Sequence, residues 1–215
     1  MKKVGEGSAE LSEYFDDSRE PLDPNAFIVA LMGSSGAGKT AIARLLCEKG
    51  IADGTPSWTT RPPGDDEEST SYDHKFVTPE EFEQQKRRDG FILQRPLYGY
   101  EYGLPIPKRP PEGKVPLILI KAVVAKPLLL QYPNARLYQV EASIDVLSER
   151  IRDRSRSTEE DTDIRLKKAE EETQEGRLVA QRMFNNDGSI EDSLDQVIEA
   201  IKNDAAEYRS RSPLL

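Results

Sequence analysis

The stretch AFIVALMGSSGAGKT, residues 26–40, decides the fold. Its first half, AFIVALM, is a short unbroken apolar run, the pattern of a strand buried on both faces. The run passes directly into GSSGAGKT, which fits the spacing G-x-x-x-x-G-K-[ST] at Gly33, Gly38, Lys39 and Thr40. Glycines at these places let the backbone curl until successive N–H groups point inward at a phosphate. A helix starting at the end of the loop adds its positive N-terminus. Ile42, Leu45 and Leu46 follow at helical spacing, so the loop has the strand before it and the helix after it that this chemistry requires. Gly33, Ser34, Ser35, Gly36, Ala37, Gly38, Lys39 and Thr40 are therefore read as a nucleoside triphosphate site. Lys39 bridges the outer phosphates, and the Thr40 hydroxyl is offered to magnesium.

Working outward, VPLILIKAVV (115–124) reads as a second buried strand and RLYQVEA (136–142) as a third. SIDVLSERIRDR opens on Ser143 as a plausible N-cap. RLKKAEEETQEGRLVAQRM reads as a long polar helix, and SIEDSLDQVIEAIKNDAAEYR as an amphipathic one with Leu194, Val197, Ile198 and Ile201 on one face. Strands alternating with helices imply a parallel, doubly wound α/β sheet flanked by helices. Residues 1–25, with Asp16, Asp17, Glu20, Asp23 and two prolines, read as a mobile acidic arm.

A chain of 215 residues fits one domain, with room for an inserted subdomain. No apolar run approaches the roughly 20 residues of a membrane span, and the N-terminus has no signal-peptide core, so the expected location is the cytoplasm. The single cysteine, Cys47, allows no internal disulfide and reads as a buried helix residue. A net charge of -9 argues against nucleic acid as a general partner, so an anionic ligand must be met by a local concentration of cations.

The segments GSSGAGKT, SWTTRPPG, FVTPEEFEQQKRRDGFI, YGYEYG, RIRDR with a downstream RL, and NNDGS stand in the order and spacing of guanylate kinases, which this chain resembles over about residues 26–205. The resemblance implies a P-loop kinase core (26–56 and 108–210), an acceptor-binding insert (57–107) and a small lid near 150–165. It implies ATP and Mg2+ as cofactors and a small phosphate-bearing acceptor as partner. Transfer between two anions rests on alignment and charge neutralisation, so converging arginines are expected. Arg150, Arg154 and Arg165 match the family's lid arginines and, with Lys39, are the expected catalytic groups. Ser57, Arg61 and Tyr102 match its acceptor-phosphate positions. Arg152 and Arg156 read as solvated charges.

The departures matter as much. The family carries a second arginine soon after its TTR segment, whereas this chain has none between Arg61 and Lys86. The carboxylate that reads guanine is replaced by Leu93, and two further aspartates by Leu119 and Lys121. Lys121 brings positive charge toward the acceptor and joins the acceptor-binding set. His74, the only histidine, either meets an acceptor phosphate or caps a turn. Ribose 1,5-bisphosphate phosphokinases are similar in lacking the second arginine, in this histidine and in the NNDGS segment. Three readings follow: a nucleoside monophosphate kinase with an altered acceptor site, a sugar-phosphate kinase, or a non-catalytic protein-binding module of the same fold.

Overall fold

The computed structural model describes residues 18–64, 72–97, 99–154 and 159–211. β1 (Ile28–Met32), the apolar run before the loop, is buried at all five positions. It lies between β7 (Val115–Leu119) and β8 (Ala135–Glu141), with β2 (Ala52–Thr55) beyond β7 and β9 (Arg182–Asn185) beyond β8. Every pairing in this sheet is parallel, and Leu31 sits opposite Leu119 on one side and Tyr138 on the other. Alternate residues serve opposite faces. Val29, Leu31, Leu117, Tyr138 and Val140 pack against α1 (Lys39–Glu48) and α6 (Ile190–Arg211), while Ile28, Ala30, Met32, Ile118 and Leu137 pack against α3 (Ala125–Gln131). At about 1.5–3 kcal/mol for each large apolar side chain fully buried, these two layers set the position of the loop that leaves β1.

A second sheet follows β2 in the chain. Its order is β4 (His74–Phe76), β3 (Ser57–Thr59), β6 (Tyr100–Pro105) and β5 (Phe91–Leu97). α2 (Pro79–Arg87) begins with a capping box: the Glu81 N–H donates to Thr78 Oγ1 at 3.2 Å, and the Thr78 N–H to Glu81 Oε2 at 2.7 Å. Phe82 of α2 stacks on Phe91, whose ring occupies the back of the sheet because position 103 is glycine; a Cβ there would lie 2.5 Å from the ring. A register shift between Phe91 and Leu93 puts these two residues on opposite faces, where a regular strand would put them on one. The chain ends with α4 (Ile144–Arg154), α5 (Glu159–Arg177), β9 and α6. Tyr138 donates to Asp204 at 2.6 Å, and Arg182 forms a bidentate pair with the same carboxylate, tying β8, β9 and α6 together.

The parallel α/β sheet flanked by helices is as the sequence implies, and four details differ. The strand over 115–124 ends at Leu119; Ile120 adds one bond to Leu31, and residues 122–124 then turn as a 3-10 helix. The long polar helix starts earlier and stops at Arg177, with the Val179 and Ala180 N–H groups both turning back to the Gly176 carbonyl, and RMFN becomes an edge strand. Residues 18–25 are not a mobile arm. Leu22 is buried, its N–H donates to the Pro107 carbonyl, and Arg19 pairs with the buried Asp53 at 2.7 Å. Residues 1–17 of that arm lie outside the described residues. Ser143 precedes α4 and accepts the Leu147 N–H at its carbonyl, while its own N–H donates to Asp187. Cys47 is buried, and desolvation raises its thiol pKa to about 11, which leaves it inert.

Candidate active site

The loop after β1 takes positive φ at Gly33, Gly36 and Gly38. At Gly33 a Cβ would lie 2.5 Å from the Val140 carbonyl, and at Gly38 it would strike the Asn186 amide, so neither position accepts a side chain. The loop is braced from outside. Asn186 Nδ2 donates to the Ala37 carbonyl at 2.8 Å, and Arg150 donates to the carbonyls of Gly36 (3.2 Å) and Asn186 (2.8 Å). Because a peptide's N–H points away from its C=O, fixing the Ala37 carbonyl outward turns the Gly38 N–H inward, as a phosphate cradle requires. Asn186 is 1% exposed and also receives the Ser193 hydroxyl at 3.0 Å. The NNDGS segment thus has a physical role in shaping the loop. Ser34 is buried and accepts from the Thr173 hydroxyl of α5 at 3.3 Å.

Lys39 and Thr40 meet a carboxylate that sequence reasoning passed over. Asp73 Oδ2 lies 3.6 Å from Lys39 Nζ and accepts from Thr40 Oγ1 at 3.3 Å. Burial alone would raise the Asp73 pKa, but Lys39, His74 and the Thr40 hydroxyl outweigh it and hold the carboxyl ionised below its ordinary value. Two hard oxygen donors beside the loop lysine fit a magnesium ion that takes most of its ligands from water and substrate phosphates. Among the described residues there is no cluster of three or more His, Cys, Asp or Glu able to cage a metal.

Between the two sheets lies a cleft of about 480 Å³. Gly33, Ser35 and Lys39 line it from the loop, Ser57, His74 and Tyr102 from the second sheet, and Arg61 and Asp73 from the segments flanking β3 and β4. The sequence-predicted acceptor residues therefore converge with the donor lysine. Strand pairing sets the floor in two rows, because directly opposed residues share a face. One row runs Phe76, Thr59, Tyr102, Arg95, and the next runs His74, Ser57, Leu104, Leu93. Ser57 Oγ and His74 Nδ1 are 2.6 Å apart, and both residues line the cleft. Arg61 lies over the Phe76 ring, with 5.0 Å between its guanidinium carbon and the ring centroid. Leu93, Leu104 and Leu119 give the cleft an apolar strip.

Lys121 lines the cleft, half-exposed, and pairs with Glu172 at 2.7 Å. Arg165 lines it from α5, whereas Arg150 is absent from the lining and braces the loop instead. The side chain of Arg154 and the whole of Arg156 lie outside what is described; Arg152 is exposed. Sequence reasoning missed Asp73, Arg95, Lys168 and Glu172. Only Asp73 carries a local signal, its place beside His74.

This strand, braced glycine loop and helix, with a cleft of cations beside the loop lysine, define a P-loop phosphotransferase architecture. The comparisons with known proteins narrow it. The chain is 30% identical to the guanylate kinase of Chlorobium luteolum over 190 residues, covering 86% of this chain and 95% of that protein. It is 30% identical to that of Symbiobacterium thermophilum over 174 residues (78% and 81%) and 28% identical to that of Fusobacterium nucleatum over 180 (82% and 96%). The guanylate kinase structure from Anaplasma phagocytophilum shares the fold at TM-score 0.59 and 21% identity, covering 90% of this chain and 99% of that one. No family model matches the chain. The chain belongs to the guanylate kinase family.

Proposed function

We propose that the chain is a kinase that moves the terminal phosphoryl group of ATP onto the phosphate of a small acceptor, through an acceptor site that does not read guanine. The observation that carries this is the single cleft holding Lys39 together with Ser57, Arg61 and Tyr102. The core at 26–56 and 108–210 serves the donor, the insert at 57–107 the acceptor, and the segment near 150–165 acts as the lid. No helix among the described residues is long and apolar enough to cross a membrane, which is in keeping with a cytoplasmic enzyme.

In this reading the loop amides and Lys39 hold the outer phosphates of ATP. Ser57, Arg61 and Tyr102 hold the acceptor phosphate so that one of its oxygens lies in line with the terminal phosphorus. The P–O bond to ADP breaks as the bond to the acceptor oxygen forms. No covalent enzyme intermediate is needed, and rate comes from alignment and charge. Thr40 and Asp73 would hold magnesium, which supplies charge neutralisation across the ATP phosphates. Arg165 adds positive charge from the far wall, and Arg150 acts indirectly by fixing the loop.

Guanine presents N–H donors that need acceptors. Leu93, Leu104 and Leu119 offer none, and each polar edge left unpaired costs about 1–3 kcal/mol. A site stripped of such partners loses discrimination on the order of 10⁴. The test is a coupled assay of ADP release with GMP, other nucleoside monophosphates and sugar phosphates as acceptors. Turnover is expected with GMP as a poor acceptor. Rapid, selective turnover of GMP would overturn the altered-site reading, and no turnover with any acceptor would favour a binding module.

A further inference from the structure

The second sheet hangs from the core by two connections. Pro56 alone joins β2 to β3 on the way in, and residues 106–114 lead from β6 back to β7 on the way out. Ser57 stands directly after the first and Tyr102 shortly before the second, so a pivot at these connections moves both relative to Lys39. Residues 19–22 lie across the connections as a strap. The Leu22 N–H donates to the Pro107 carbonyl and the Arg109 N–H to the Glu20 carbonyl, both at 2.8 Å, with Pro21 and Lys108 opposed in an antiparallel bridge. Arg19 Nη1 completes the tie, donating to Asp53 Oδ2 of β2 at 2.7 Å and to the Arg109 carbonyl at 3.3 Å. One guanidinium nitrogen therefore spans the entry strand and the exit connection. The strap is itself fixed to the core: it runs on toward β1, and the Asn25 carbonyl accepts from the Tyr208 hydroxyl of α6 and from Asn134 Nδ2, both at 2.8 Å.

Leu22 is buried in the same apolar cluster as Leu104 of the second sheet and Ile118 of the core. Apolar contacts of this kind are non-directional and permit sliding, whereas the hydrogen-bonded ladder and the ion pair fix an orientation. Pro107, Pro110 and Pro111, each with its φ locked, stiffen the exit connection, so a hold on residues 107–109 is carried into β6. Resting on the kinase reading above for its functional half, we infer that Arg19 is a positioning residue: through the strap it holds the second sheet at the angle that brings Ser57, Arg61 and Tyr102 in line with the phosphate loop. Arg19 is not part of the cleft lining and acts on transfer only through the two connections. The phosphate loop has its own brace at Asn186 and Arg150, so nucleotide binding is independent of the strap.

The angle is read by pulsed electron–electron resonance on the full chain, with nitroxide labels at Gln84→Cys on α2 and Lys202→Cys on α6, both exposed positions; the native Cys47 is buried and inert. This labelled background is expected to give one narrow distance distribution, and Arg19→Ala should broaden or split it. Because Arg19→Ala also strands the buried Asp53 carboxylate, Tm should fall by roughly 10 °C. Arg19→Ala/Asp53→Ala removes the stranded charge, so it should recover most of the lost Tm and keep the broad distribution. With the best acceptor found in the coupled assay, kcat/KM for the acceptor should fall ~10- to 100-fold in both variants while ATP affinity stays within about 2-fold. A broad distribution already in the labelled background would overturn the inference, as would one that stays narrow in Arg19→Ala or narrows again with Tm in the double variant. So would equal losses in ATP and acceptor binding. The distances need no turnover, so failure of phosphoryl transfer with every acceptor would refute the kinase reading separately.

Discussion

Replacing Asn186 with alanine removes the brace between the phosphate loop and the end of β9. Two bonds disappear: the donation to the Ala37 carbonyl at 2.8 Å and the acceptance from Ser193 at 3.0 Å. The partners fare differently. Ser193 retains the Asn185 carbonyl at 3.0 Å, so its loss costs little. The Ala37 carbonyl sits on a buried residue and is stranded, at about 1–3 kcal/mol, on top of about 1 kcal/mol for the bond it loses. A total of about 2–4 kcal/mol corresponds to a fall in Tm of roughly 5–15 °C for a chain of this size. Since the Gly38 N–H loses its fixed direction, ATP affinity should fall by about tenfold or more, while binding of an acceptor analogue changes little. Differential scanning calorimetry and nucleotide titration measure both. Ser193→Ala, which keeps the bond to Ala37, should cost no more than about 1 kcal/mol. If Asn186→Ala kept its Tm within 2 °C or so and bound ATP normally, the bonds from Arg150 would suffice and the brace argument would be wrong.

Two further outcomes follow from the same site and core. Lys39→Ala should fold normally yet lose about 10²–10³-fold or more in kcat, read by the ADP-release assay; near-normal turnover would remove the loop from the donor role. The Asp204 carboxyl is pushed up by burial, but the bonds from Arg182 and Tyr138 outweigh this, so its folded pKa lies below the ordinary value of 3.8. Its stabilisation is present above that value and is lost as pH falls through the folded one. Urea melts should show the gap between wild type and Asp204→Asn narrowing below pH ~4, and a gap independent of pH would show that packing, and not charge, holds β8, β9 and α6 together.

The donor half of this protein is local in sequence, and it was legible there. An apolar run, a glycine loop, a lysine and a helix occupy one continuous stretch, and the order of parallel strands follows from alternation. The acceptor half is made by pairing across distance. Arg95 reaches the cleft because a bulge between Phe91 and Leu93 inverts the strand's facing, and nothing in FILQRPL announces a bulge. RMFN reads as the tail of a polar helix until β8 is present to pair with it. The docked segment at 18–25 is equally silent: Arg19 and Leu22 look like arm residues until Asp53 and the Pro107 carbonyl are there to receive them. Leu93 and Leu119 were visible as losses against the family, but the presence of Arg95 in the same cleft was not.

The residue that shapes the phosphate loop lies 149 positions after the carbonyl it holds. During synthesis the whole glycine motif therefore leaves the ribosome long before its brace exists, and most of the chain is made while the loop is free to sample other shapes. Nucleotide capture is deferred until the C-terminal quarter has emerged and β9 has joined the sheet. A premature stop between residues 41 and 186 would leave every loop residue in place but without the Asn186 brace that fixes the Ala37 carbonyl.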